Sequence, residues 1–169
     1  MKRHAALFAV LCLVTNFTIA SPMSDFVATG LYGIRWGASI DEVVSLYPQG
    51  DHVFSTAAGC RSYWVKDKQP FVDIPRENSG MQINFNERNL VSSMAIGFSY
   101  EWRLGLRDRL VSMWGNPTYK VTRGGKTSYG WASHEGYGAM VTEFGSGASQ
   151  IIWLSLGPVK GTKDAGPGC

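Results

Sequence analysis

Residues 81–98 read Met-Gln-Ile-Asn-Phe-Asn-Glu-Arg-Asn-Leu-Val-Ser-Ser-Met-Ala-Ile-Gly-Phe, and their spacing decides the fold class. Met81, Ile83 and Phe85 alternate with Gln82 and Asn84, the period of two that gives a strand one buried face. Asn86-Glu87-Arg88-Asn89 supplies a turn. Leu90, Met94, Ile96 and Phe98 return on one face, so the stretch reads as an antiparallel hairpin.

The hairpin recurs further along the chain. Met81-Gln82-Ile83-Asn84-Phe85 is answered by Met140-Val141-Thr142-Glu143-Phe144, and Ile96-Gly97 by Leu156-Gly157, at offsets of 59 and 60. Upstream, Ser62-Tyr63-Trp64 resembles Ser128-Tyr129-Gly130-Trp131, and Val43-Val44-Ser45-Leu46-Tyr47 matches Leu110-Val111-Ser112-Met113-Trp114 at an offset of 67. The offset drops because the first copy holds extra residues around Pro70 to Asn78. Four matches in one order read as an internal repeat.

The earliest block of each copy is helical. Ser39-Ile40-Asp41-Glu42 is a capping box, in which the Ser39 hydroxyl and the Glu42 carboxylate satisfy free N–H groups at a helix start. Ile40, Val43, Val44 and Tyr47 follow as one apolar stripe, ended by Pro48 and Gly50. The second helix places Leu106, Leu110, Met113 and Trp114 inward and Arg107, Asp108 and Arg109 toward water, and it ends at Gly115-Asn116-Pro117. The expected fold is therefore α+β: two tandem α-β-β-β repeats, about 33–98 and 102–157, forming one antiparallel sheet with helices packed on one face. The repeats make a single domain over 21–157, and 158–169, rich in Gly, Pro and Lys, reads as a flexible tail.

The Trp36-Gly37-Ala38-Ser39 step before the capped helix, and Gly115-Asn116-Pro117 followed by Tyr129 and Trp131, carry a family resemblance. From Gly33 to Gly157 the chain resembles the tandem units of the secreted β-lactamase inhibitor proteins and the single unit of the small outer-membrane barrel-assembly lipoproteins. That resemblance implies a non-enzymatic protein that grips another protein through its sheet face and loops.

The N-terminus has the order of an export signal. Lys2 and Arg3 precede an apolar run from Ala5 to Val14, and Thr18-Ile19-Ala20 puts small residues where signal peptidase needs them, so cleavage is expected between Ala20 and Ser21. Thr15, Asn16 and Thr18 interrupt the run well before the ~20 apolar residues of a membrane span. Ala9-Val10-Leu11 before Cys12 lacks the small residue of a lipidation site. The mature chain is expected in the periplasm or outside the cell, with no membrane anchor. It retains 14 basic and 13 acidic residues once Lys2 and Arg3 are gone, which argues against nucleic acid as a partner. Cys60 and Cys169 remain in a compartment where disulfides persist. A bond between them would close a loop of about 110 residues, stabilising the fold by ~4–5 kcal/mol. The rival reading is a free or intermolecular thiol.

Catalytic constellations are hard to find. His52 and His134 have no metal-ligand spacing, and Cys60 and Cys169 form no CxxC pair. Gly124-Gly125-Lys126-Thr127 looks like the tail of a phosphate loop, but position 120 holds Lys120 where the pattern wants glycine, so it reads as a turn. The expectation is a protein that is not an enzyme and uses neither cofactor nor metal. What is left is aromatic content on the strands. Tyr63, Trp64, Tyr129, Trp131, Tyr137 and Trp153 are the candidate binding residues, since outward aromatics dominate binding hot spots. The expected function is protein–protein contact by an inhibitor, immunity or envelope-assembly factor, with a protein partner in the envelope or outside the cell. Two rivals stand beside it, a small-ligand or glycan-binding envelope protein and a hydrolase with an unrecognised site. A wide shallow patch favours a protein partner, and a deep pocket favours a small ligand.

Overall fold

A computed structural model describes residues 22–54, 61–76, 80–124, 126–133, 136–144 and 151–158. Among these residues three α-helices, α1 (Pro22–Val27), α2 (Ile40–Leu46) and α3 (Arg103–Trp114), the last preceded by a 3-10 turn at Tyr100–Trp102, accompany eight strands. The strands are β1 (Asp51–Phe54), β2 (Arg61–Val65), β3 (Met81–Phe85), β4 (Val91–Ser99), β5 (Tyr119–Arg123), β6 (Lys126–Ala132), β7 (Tyr137–Phe144) and β8 (Ile151–Pro158). All eight join one antiparallel sheet in the order β1-β2-β3-β4-β8-β7-β6-β5.

The expected fold, two tandem α-β-β-β repeats with helices packed on one face, is corrected by this sheet. Each half of the chain contributes four strands, and the strands added beyond expectation are the two edges, β1 and β5. Eight strands at about 4.8 Å spacing make a sheet about 34 Å wide. The 7 residues of α2 span about 10 Å and the 12 of α3 about 18 Å, so the helices are too short to form a covering layer. Much of the cover comes instead from α1 and irregular chain: Met23, Val27, Ile34, Phe71 and Ile74 are buried. Phe71 meets Phe26 and Phe98 edge-on, with ring centroids 5.6 and 6.1 Å apart. The residues around Pro70, an insertion in the sequence comparison, thus fold back as part of the core.

Local rules act where the sequence places them. Ser39 caps α2, its hydroxyl accepting from the Glu42 N–H at 3.3 Å while the Glu42 carboxylate accepts from the Ser39 N–H at 2.7 Å. The Asn86 side-chain oxygen accepts from the N–H groups of Arg88 and Leu90, tying the β3–β4 turn. Met81, Ile83, Phe85, Met94, Ile96, Leu154 and Leu156 line the core face, joined by Leu106 and Leu110 of α3 and Val43 of α2. Gly124 and Lys126-Thr127 lie at the β5–β6 hairpin, away from any helix start. Under the helix side, the buried Arg76 donates through Nη2 to the Asp67 carbonyl oxygen (2.5 Å) and carboxylate (3.1 Å).

Candidate functional site

Pairing register assigns the residues of the second sheet face. One row runs across all eight strands: Asp51, Trp64, Gln82, Ala95, Ser155, Met140, Gly130 and Tyr119 stand opposite one another in turn. A second row includes Val53, Ser62, Asn84 and Ser93, and a third includes Thr142, Ser128 and Val121. Small residues at the middle of these rows keep the face low, and among the described residues no helix covers it.

Its left half is a hydrogen-bonded ladder. Gln82 Nε2 donates to Asn84 Oδ1 at 2.8 Å and to Ser62 Oγ at 3.2 Å; Ser62 Oγ donates to Asn84 Oδ1 at 2.8 Å; Asn84 Nδ2 donates to Ser93 Oγ at 2.9 Å. Across the sheet, Ser128 Oγ donates to Thr142 Oγ1 at 3.2 Å. Such linked polar side chains are held in one arrangement. Two aromatic rings stand near the ends, each over a glycine. A Cβ on Gly80 would come within 2.5 Å of the Trp64 indole, and one on Gly130 within 1.9 Å of the Tyr119 ring. Only a glycine admits the ring at that distance.

The right half is apolar and open. Tyr119 is 44 % exposed, Val121 52 % and Met140 36 %. Between Tyr119, Met140, Ser155 and Ser93 lies a depression of about 250 Å³, floored by Gly138 and Gly157. No family model, curated protein or solved structure matches the chain.

The sequence-derived binding set divides between the two faces. Trp64 sits on the open face. Tyr63 is on the helix side and only 1 % exposed, its hydroxyl donating to the Tyr47 carbonyl at 2.7 Å and accepting from the Gly50 N–H at 3.1 Å. Trp131 is 3 % exposed, with Nε1 donating to the Gly115 carbonyl at 2.9 Å and its ring against Trp114. Tyr129 and Tyr137 are half-buried on the helix side, and Trp153 stands in register with Gly97 and Thr142 on β8. The six are therefore not one surface. Cys60, Cys169 and His134 lie outside the described residues. His52 packs its ring edge-on to Tyr63 at 4.9 Å. Among the described residues no group of three or more His, Cys, Asp and Glu could hold a metal ion, and no helix is long and apolar enough to cross a membrane.

The sequence reading missed Tyr119, Val121, Met140, Gln82 and Asn84. The signal for the last two was present: a strand that buries Met81, Ile83 and Phe85 must turn Gln82 and Asn84 to the other face. Tyr119 and Val121 alternate with Lys120 and Thr122 in the same way, but the segment is too short and polar to stand out.

Proposed function

We propose that this chain is an exported, non-enzymatic binding protein that takes another protein on the open face of its sheet, after removal of residues 1–20. The observation that carries the reading is the row from Trp64 to Tyr119: a surface that no described helix covers, with exposed apolar groups at one end, a fixed polar ladder at the other, and a depression of only about 250 Å³. Ligand pockets run ~300–1,000 Å³ and are lined on most sides, whereas protein interfaces are broad and use aromatic and Met anchors with a polar surround. The face is about 34 Å across, the scale of a partner contributing ~800 Å².

The test is affinity capture from envelope extract with the mature chain, repeated with Tyr119→Ala/Met140→Ala and with Leu46→Ala, whose side chain is exposed away from the open face. The reading expects a protein captured by the wild type and by Leu46→Ala and reduced at least ~tenfold by the double variant, the scale of a hot-spot loss. Equal capture by all three sinks it. A second reading, a glycan laid along Trp64 and the Gln82–Asn84–Ser62 ladder, is supported by the amide and hydroxyl groups beside an indole ring. It expects quenching of Trp64 fluorescence by envelope oligosaccharides, absent in Trp64→Phe.

A further inference from the structure

From Arg103 to Ala132 the sequence carries six basic residues, Arg103, Arg107, Arg109, Lys120, Arg123 and Lys126, against the one carboxylate of Asp108. The rest of residues 21–169 runs the other way, with eight basic and twelve acidic residues. The fold gathers this segment into one corner, where α3 packs beside β5, β6 and β7. Arg109 is engaged elsewhere, donating to the Asp73 carboxylate at 2.6 Å. Arg103, Leu104 and Arg107 of α3 face Thr127, Tyr129, Val141 and Glu143 across a cavity of about 290 Å³.

Two cations attend the Tyr129 ring, Arg107 from the cavity wall and Lys120 from the neighbouring strand β5. The Arg107 guanidinium carbon lies 5.9 Å from the Tyr129 ring centroid, and Lys120, in register with Tyr129, places Nζ 5.5 Å from the same centroid. Arg107 is hydrogen-bonded to the Tyr129 side chain, which carries no charge to balance it. Asp108 approaches Arg107 at 3.4 Å but is largely exposed, where an ion pair contributes little. Glu143, half-buried on β7, forms no salt bridge among the described residues.

We propose that this cleft takes a carboxylate from an acidic segment of a partner protein, held by Arg107 on the cavity wall with Lys120 beside the same Tyr129 side chain. An incoming carboxylate accepts charge-assisted hydrogen bonds from Arg107 and brings opposite charge toward Lys120. A recessed cavity with Glu143 on its wall admits a side chain reaching in from outside. It disfavours an extended polyanion, whose continuous negative charge would be pressed against Glu143. The cleft lies on the helix side of the sheet, so the proposal does not depend on the open-face reading.

The test titrates the full chain with a terminally blocked octapeptide of alternating Glu and Gly, its Gln counterpart, inorganic phosphate, and vesicles containing phosphatidylglycerol. The Glu peptide binds more tightly than the other three, and its affinity falls as salt rises. Arg107→Gln/Lys120→Gln weakens it at least ~tenfold, as expected for lost hydrogen bonds to a charged group, while Glu143→Gln leaves it equal or tighter. Both substituted cations reach solvent, and Lys120→Gln alone, on an exposed edge strand, gives the same reading if the double variant melts early. The proposal is overturned if the Gln peptide binds as well as the Glu peptide. It is overturned equally by wild-type affinity in a stably folded double variant, or by tighter binding to phosphate or the vesicles.

Discussion

Single side chains divide into those that hold the fold and those that face outward, and substitutions separate them. Ser39→Ala removes the cap of α2 and should cost about 1 kcal/mol in chemical denaturation. The Ser39 N–H and hydroxyl, with Arg35 beyond them, hold the Glu42 carboxyl below the usual glutamate range. A lowered folded value means the contribution is present at neutral pH and lost as pH falls through that value. The melting difference between wild type and Glu42→Gln should therefore shrink on acidification; a gap independent of pH contradicts the capping role. Arg76 is 1 % exposed, and Asp67→Ala would strand its charge, a loss of ~3–5 kcal/mol by the precedent of broken buried pairs. Trp131→Ala opens the core and should cost ~3–5 kcal/mol, which makes it unsuitable as a binding probe. The capping box and the inward Met81, Ile83 and Phe85 were legible in the sequence. The direction of Tyr63 and Trp64 was not, because alternation puts neighbours on opposite faces without saying which goes in. Tyr63 goes in because its hydroxyl finds the Tyr47 carbonyl and the Gly50 N–H.

At the scale of elements, the central strands were readable and the edges were not. β3, β4, β7 and β8 bury one face and carry its apolar period. β5 is exposed along its whole length and becomes a strand because β6 offers it hydrogen-bonding partners. The helices were placed correctly by cap and stripe, but their shortness was hidden, and with it the need for α1 and the Pro70 region to complete the cover. The pairing of β5 with β6 yields a prediction about shape. Gly130→Ala would drive a Cβ into the Tyr119 ring, and that flexible side chain can swing away. The variant should melt close to the wild type yet lose the ring from the open face, reducing partner capture as Tyr119→Ala does. A variant that binds normally would detach the ring from the site.

Across the whole molecule, one sheet separates two environments. The helix side holds the core, the Arg76–Asp67 pair and the basic cleft; the other side is a low surface of small and polar residues between Trp64 and Tyr119. The polar ladder resists collapse, and the exposed Val121 and Met140 at the opposite end of the face give a partner apolar area to bury. The function class in the sequence reading rested on aromatics, four of which, Tyr63, Tyr129, Trp131 and Tyr137, belong to the helix side. The surface that replaces them follows from register, which a sequence specifies only once all eight strands are known. Oxidative footprinting of the chain, alone and with its captured partner, tests the central claim directly. The account predicts that Met140, Tyr119 and Trp64 lose reactivity in the complex while Tyr100, on the helix side, keeps it. Unchanged reactivity across the open face, with protection confined to the helix side, would contradict it.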